Sequence, residues 1–358
     1  MIAHPARPTI VAHCRAGFER ECAADLVQLG ECAAIALSPG PLSRCAFVTA
    51  TCADFDARRW EKALGSEPAI FARSIFVGSG AHRLPGRDRV TPLLDLAREL
   101  HPPFCALWLE TPDTNEGKTR SGFCRRIAPL LESAAREEGI FAQSDLQKPR
   151  LHLLFCSTSE VLAGTSRTET GSPWPMGIAR LKMPRAAPSR SALKLVEAFV
   201  TFIPEEVRAR VLKPGMRAVD LGAAPGGWTW QLVERGLRVT AVDNGPLEAS
   251  VASDPLVLHL RTDGLTYRPR RPVDWMVCDI VDKPSRIASL VASWVADGAC
   301  RRTIFNLKLP MKKRYDQVRR CSELIRERLD RERSAYTLKF KHLYHDREEV
   351  TGYCARID

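Results

Sequence analysis

The sequence predicts an α/β protein. Its C-terminal part should be a Rossmann-like domain on a mostly parallel sheet, preceded by smaller α/β domains. Two observations carry this. From residue 189 onward, apolar strand-like stretches near residues 217, 239, 258, 275 and 303 alternate with helical spacing, the pattern of a parallel sheet covered on both faces. The last two strand-like stretches, Thr337–Leu343 and Glu349–Ala355, are joined only by Tyr344–Glu348. So short a link requires an antiparallel pair.

Taken in order, Thr9–Cys14 reads as a strand, and Gly17–Leu29 as a helix with Phe18, Cys22, Leu26 and Leu29 on one face. Cys32–Leu37 and Cys45–Ala50 read as strands around a Ser38-Pro39-Gly40-Pro41 turn. A helix through Arg58, Trp60 and Leu64 and a strand at Ala69–Val77 complete a ferredoxin-like domain over residues 1–80. A second α/β domain is expected over residues 81–165. It has a Gly/Arg-rich connection at Gly78–Arg89, helices at Val90–Leu100 and Ser121–Glu138, and strands at Cys105–Glu110 and Leu151–Cys156. Residues 166–188 read as a basic linker, within a polar stretch rich in Pro and Arg. Trp174 and Pro175 are placed to pin it against the C-terminal domain. The segment suits a phosphate backbone and equally a solvated tether. Ser189 reads as the N-cap of a helix through Leu193 and Phe199.

Composition bounds the function. At 358 residues the chain needs more than one core. It has no apolar run of membrane-span length, and Met1–Ile10 lacks the apolar centre of a signal peptide. A cytoplasmic location is expected. The 12 cysteines are scattered without a C-x-x-C pair, so neither zinc nor a disulfide framework is indicated. The net charge of +11 is uneven: residues 1–150 carry +1, residues 151–358 carry +10 and the last 58 residues carry +7. A basic field beside a ligand site points to a polyanionic substrate. Over Arg319–Arg333, interleaved acids favour a plain solvated helix instead.

The most informative stretch is Asp220-Leu221-Gly222-Ala223-Ala224-Pro225-Gly226-Gly227, between an apolar strand and a helix start. Glycines there let a ligand approach the backbone. The turn lacks the G-x-G-x-x-G pattern of pyrophosphate binders. It suits a ligand with an amino acid end, such as S-adenosylmethionine. Val239–Asp243 is a second strand ending in an acid, about 20 residues on, where a carboxylate takes ribose hydroxyls. Asp263 and Asp279 stand at two further strand ends. Trp228 and Trp230 read as core.

These residues resemble the FtsJ-type ribose 2′-O-methyltransferases, and among them the bacterial 23S rRNA cytidine 2′-O-ribose methyltransferase family (RlmM type). The resemblance covers essentially the whole chain. It is most specific at Ser189–Leu195, Asp220–Gly227, Trp275–Pro284, Asn306–Tyr315 and Leu343–Val350. Ala224 stands where a Cys is also familiar. The resemblance implies a THUMP-like, RNA-binding character for residues 81–165 and a methyltransferase domain over residues 189–358. It implies S-adenosylmethionine as cofactor, held by Ser191, Ala224, Pro225, Gly226, Gly227, Asp243, Asp263 and Asp279. Asp220 is a further candidate for the methionine amino group. The implied partner is 23S rRNA or a ribosomal precursor. Composition adds the expectation of no metal and no membrane, and a monomer is expected.

The resemblance also implies a Lys-Asp-Lys-Glu tetrad: Lys194, Asp279, Lys308 and Glu349. Lys308 is the expected base toward a ribose 2′-hydroxyl, with Lys194 holding its pKa down. Asp279 orients Lys308, and Glu349, rather than Glu348, positions the lysines. Lys312, Lys313 and Arg314 are phosphate candidates. Two rival readings fit the residues less well. A base (cytosine) methyltransferase would need a stacking aromatic after Asp279 or a nucleophilic Cys, and Cys278 should point away by strand alternation. An RNA-binding scaffold with an inactive methyltransferase fold would not need the full tetrad.

Overall fold

The computed structural model describes residues 8–66, 68–142, 145–333 and 335–357. The chain divides into two compact units, Met1–Ile178 and Ala179–Asp358. Among the described residues no helix is long and apolar enough to cross a membrane, and the twelve cysteines are free thiols.

The first unit runs β1 (Thr9–His13), α1 (Glu19–Ala33), β2 (Ser38–Pro39), β3 (Phe47–Thr51), α2 (Ala57–Ser66), β4 (Ser74–Arg83), α3 (Val90–Glu99), β5 (Ala106–Glu110), α4 (Asn115–Glu137), β6 (Arg150–Ser157) and β7 (Glu160–Ser166). These strands form one seven-stranded sheet in the order β2-β3-β1-β4-β7-β6-β5. The boundary expected at residue 80 therefore falls inside a strand. β4 pairs with β1 from Ser74 to Gly78 and with β7 from Val77 to Arg83, across a register shift between Gly78 and Ala81. A Cβ at Gly78 would lie 1.7 Å from the Ala163 carbonyl oxygen, so only glycine lets the two backbones meet there.

Two other expectations need correction, and one strand, β7, was not foreseen. Cys32–Leu37 is not a strand. Its first residues finish α1, which ends with Ala34 in the left-handed conformation, and the short β2 replaces the expected turn at Ser38-Pro39. β7 falls in a Gly- and Thr-containing stretch with no clear alternation, yet Val161, Leu162 and Ala163 are buried. The segment after β7 is not a free linker. Arg150 Nη1 donates to the Ser172 carbonyl at 2.9 Å, and the Met176 amide donates to Glu110 Oε1 at 2.5 Å. Trp174 and Pro175 thus belong to a turn bonded to the first unit. Glu110 is fully buried, and burial alone would raise its carboxyl. His152 and His13, at 2.9 and 3.2 Å, outweigh burial and hold it below the usual carboxylate range.

The second unit runs α5 (Ser191–Phe202), α6 (Glu205–Val211), β8 (Arg217–Leu221), α7 (Gly227–Val233), β9 (Arg238–Val242), α8 (Ala249–Ala252), β10 (Val257–Leu260), β11 (Val273–Cys278), α9 (Pro284–Ala296), β12 (Cys300–Lys308), α10 (Arg314–Arg331), β13 (Tyr336–Lys341) and β14 (Glu349–Arg356). Its sheet order is β10-β9-β8-β11-β12-β14-β13. β8 to β12 are parallel; β14 is antiparallel to both neighbours and lies between β12 and β13. Strand order reverses between β8 and β11. In open α/β sheets ligands bind at the carboxyl ends of the strands beside such a reversal.

The core of this unit is aromatic. Phe199 of α5 meets Trp275 of β11 edge-on at 5.6 Å, and Phe202 stacks on Tyr353 of β14 at 5.8 Å. These contacts seat α5 on the sheet. Trp228 is buried in the same core, and Trp230 packs beside Ala241 and Val251. α10 buries Val318, Cys321, Ile325 and Leu329 at helical spacing and turns its charged face outward.

Candidate active site

The glycine turn leaves β8 and enters α7 with Gly222 and Gly226 at positive φ, 79° and 115°. A Cβ at Gly222 would meet the Ile280 side chain at 2.8 Å. One at Gly227 would come within 2.3 Å of Ser189 Oγ and 2.5 Å of Ser191 Oγ. The two serine hydroxyls lie 2.7 Å apart against the turn. Ser189 is therefore not the N-cap of α5. That position falls to Arg190, without a side-chain cap bond.

The acids take different places around this turn. Asp243 accepts the Ala224 amide at 3.0 Å and the Gly245 amide at 2.7 Å, so it shapes the turn itself. Asp263 is exposed and accepts the Leu265 amide at 2.9 Å. A Cβ at the adjacent Gly264 would stand 3.7 Å from the Gly222 nitrogen, so this loop lies beside the turn. Asp220 is fully buried. Its Oδ2 accepts from Thr229 Oγ1 at 2.7 Å, and its Oδ1 has no partner. Burial pushes the Asp220 carboxyl up to about 7 against the Thr229 hydrogen bond, with Asp279 and Asp243 adding to the rise.

The tetrad residues come together at the same strand ends. Lys308 is the last residue of β12, and its Nζ lies 2.6 Å from Asp279 Oδ1 and 3.3 Å from Glu349 Oε2. Lys194, on α5, bonds Glu349 Oε1 and stands 3.8 Å from Asp279 Oδ2. Glu348 points away: it is mostly exposed and pairs with Arg314 at 2.8 Å. The pKa expectation fails in direction. Burial lowers the Lys308 ammonium, but Asp279 and Glu349 outweigh it and leave it above the ordinary lysine value. Burial raises the Glu349 carboxyl, and the two lysines more than reverse that. The arrangement is two ammonium groups bridged by two carboxylates.

A supporting set was missed in the sequence. Asn306 Nδ2 donates to Asp279 Oδ1 at 2.9 Å, and Thr351 Oγ1 lies 2.9 Å from Asn306 Oδ1. Thr351 also reaches both oxygens of Asp346. Glu197 of α5 accepts the Tyr344 and His345 amides at 2.7 and 2.9 Å and holds the link between β13 and β14. A signal existed for two of these. Asn306 and Thr351 are each two residues from a tetrad member along a strand, hence on the same face.

Cys278 is fully buried, and burial pushes its thiol up to about 12, which removes it as a nucleophile. Lys312 and Lys313 are exposed just beyond the site. Among the described residues no group of His, Cys, Asp and Glu is placed to hold a metal ion.

A Rossmann-like sheet with this glycine turn, strand-end acids and an inserted antiparallel last strand defines the class of methyltransferases. The FtsJ-like methyltransferase family matches residues 187–319. The N-terminal domain family of ribosomal RNA large subunit methyltransferase M matches residues 88–167. The chain is 49% identical to the ribosomal RNA large subunit methyltransferase M of Methylococcus capsulatus, over 96% of this chain and 97% of that protein. It is 49% identical to that of Aromatoleum aromaticum, over 97% and 94%. With the Laribacter hongkongensis protein it shares 54% over 82% of each. The chain belongs to the ribosomal RNA large subunit methyltransferase M family.

Proposed function

We propose that this chain methylates the ribose 2′-hydroxyl of a cytidine in 23S rRNA, using S-adenosylmethionine. The observation that carries the reading is Lys308 at the carboxyl edge of the sheet, bracketed by Asp279 and Glu349 and followed by exposed Lys312 and Lys313. Two features fit the donor. The unpartnered, buried Asp220 Oδ1 suits an ammonium. The glycine turn admits no side chains at Gly222, Gly226 or Gly227, where an added Cβ would crowd Ile280, Val251 or the Ser189 and Ser191 hydroxyls, which keeps the backbone tightly turned for a ligand. Asp243 would take ribose hydroxyls and Asp263 the adenine end.

When bound, the donor supplies an electrophilic methyl group. The residues of this chain do the rest. Lys308 Nζ, once neutral, takes the proton as the 2′-oxygen attacks. Asp279 and Glu349 hold that nitrogen in place, and Lys194 shares Glu349 so that Lys308 does not face both carboxylates alone. Lys312 and Lys313 would grip the phosphate backbone, and the first unit would select the RNA. Mapping 2′-O-methyl groups on rRNA from cells with and without this gene tests the whole reading. An unchanged map would overturn it.

A further inference from the structure

We propose that Asp346 is a neutral carboxylic acid that positions Asp279, and through it Lys308, by way of Thr351 and Asn306. This rests on the reading of Lys308 as the base. Counting donors carries it. Asp279 Oδ1 receives the Lys308 ammonium at 2.6 Å. An ionised carboxylate only accepts, so the group 2.9 Å away must be the NH₂ of Asn306. That turns Asn306 Oδ1 toward Thr351 Oγ1, also at 2.9 Å. A carbonyl oxygen only accepts, so the single threonine proton is committed to Asn306.

Thr351 Oγ1 nevertheless lies 3.0 Å from Asp346 Oδ1 and 2.9 Å from Oδ2. With the hydroxyl proton already used, the proton of this contact has to come from Asp346. Its Oδ2 accepts the Leu343 amide at 3.0 Å, which leaves Oδ1 to carry it. Asn306, Thr351 and Asp346 are all fully buried, so bulk water cannot relieve an oxygen–oxygen contact.

The surroundings agree. Burial is the largest influence and raises the Asp346 carboxyl, the Leu343 amide opposes it, Glu349 raises it, Lys194 opposes, and Glu197 raises it again. The outcome is well above the usual carboxylate range. The result is one directed chain, from the Asp346 O–H to Thr351, from its O–H to Asn306, and from that NH₂ to Asp279. Its register is set by the sheet, because Asn306 and Thr351 are paired across β12 and β14.

The test compares Asp346→Asn, Asp346→Ala and Thr351→Val in the full chain. Asn keeps the shape, accepts from Leu343 and donates an N–H where the acid donates an O–H. Asp346→Ala and Thr351→Val should lose about tenfold or more in kcat, with donor affinity and the KM for RNA unchanged. Asp346→Asn should recover kcat to within about threefold of wild type. Protonation is read separately from Tm against pH. A carboxyl whose folded pKa is raised gives stability that is complete at acid pH and is lost as pH rises. Asn has no such loss, so its Tm should gain on wild type from about pH 5 to about pH 8. Other buried acids are common to both proteins and cancel in the difference. If Asp346→Asn fails to fold, loses kcat like Ala, or falls behind wild type in Tm as pH rises, Asp346 is ionised and the proposal is wrong. If Thr351→Val keeps wild-type kcat, the chain does not position Asp279. Should Lys308 prove not to be the base, the Tm result still stands, which separates the two failures.

Discussion

Lys308 and Glu349 stand directly opposite each other on β12 and β14, with Lys308 Nζ 3.3 Å from Glu349 Oε2. Side chains along a strand return to the same face every second residue. The next rung on that face is therefore Asn306 and Thr351, also register partners. Both rungs lean on Asp279, which follows β11: Lys308 and Asn306 each bond its Oδ1. One antiparallel strand pair thus supplies the Lys308 amine and groups that hold it and its partner Asp279 in place.

Lys308→Ala should keep donor affinity and lose about 10²–10⁴ in turnover, the usual contribution of a general base. Lys308→Arg keeps a cation between Asp279 and Glu349 but cannot deprotonate. It should therefore fold normally and fail nearly as badly. Calorimetry for the donor and single-turnover methylation check both. Near-wild-type turnover in the Arg variant would make Lys308 an electrostatic clamp.

The pH profile follows from the raised Lys308 pKa. Raising pH increases the neutral fraction, so kcat/KM should climb steadily through neutral pH and into the alkaline range. Lys194→Met removes a cation and leaves both carboxylates to Lys308. Its pKa should rise further and the profile should move to higher pH. A plateau reached by neutral pH would contradict this geometry.

Donor affinity should carry its own pH dependence. Asp220 is pushed up to about 7, and only its ionised form can pair with an ammonium. Affinity should therefore fall as pH drops below about 7, and Asp220→Asn should bind weakly with a flat profile. Titration calorimetry across this range decides it. A flat wild-type profile would remove Asp220 from the donor site.

Gly226→Asp should abolish donor binding by deforming the turn. Gly226 sits at a φ of 115°, and an added Cβ would press on the Val251 side chain at 3.1 Å. The damage comes from backbone strain and crowding at Val251. Near-normal affinity measured by calorimetry would dismiss the turn as the donor cradle.

A fragment beginning at Ala179 matches the boundary between the compact units. It should bind donor and methylate rRNA poorly, because RNA selection is assigned to the first unit. Full activity of the fragment on rRNA would refute that assignment.

Much of the second unit was legible in the chain because its determinants are local. Alternating strand and helix patterns announced the parallel sheet, and the acids at strand ends and the Pro-Gly-Gly turn marked its carboxyl edge. The four charged residues of the tetrad were identified by resemblance, and Lys308 and Glu349 lie at strand termini where the pattern already placed them. The first unit was less legible. β4 runs through the expected boundary, and the segment around Met176 is held by Glu110, 66 residues earlier. Local composition carries no trace of such pairings.

The sequence by itself determined which groups reach the carboxyl edge of the sheet, since strand ends and side-chain alternation are properties of short segments. Only the tertiary structure decided in which direction their pKa values move. Lys308 is raised by carboxylates from β14 and from the end of β11, Asp220 and Asp346 by burial, and Glu349 is lowered by lysines from α5 and β12. A pKa is the sum of desolvation and the charges nearby. Those charges are neighbours in space and up to 155 residues apart along the chain.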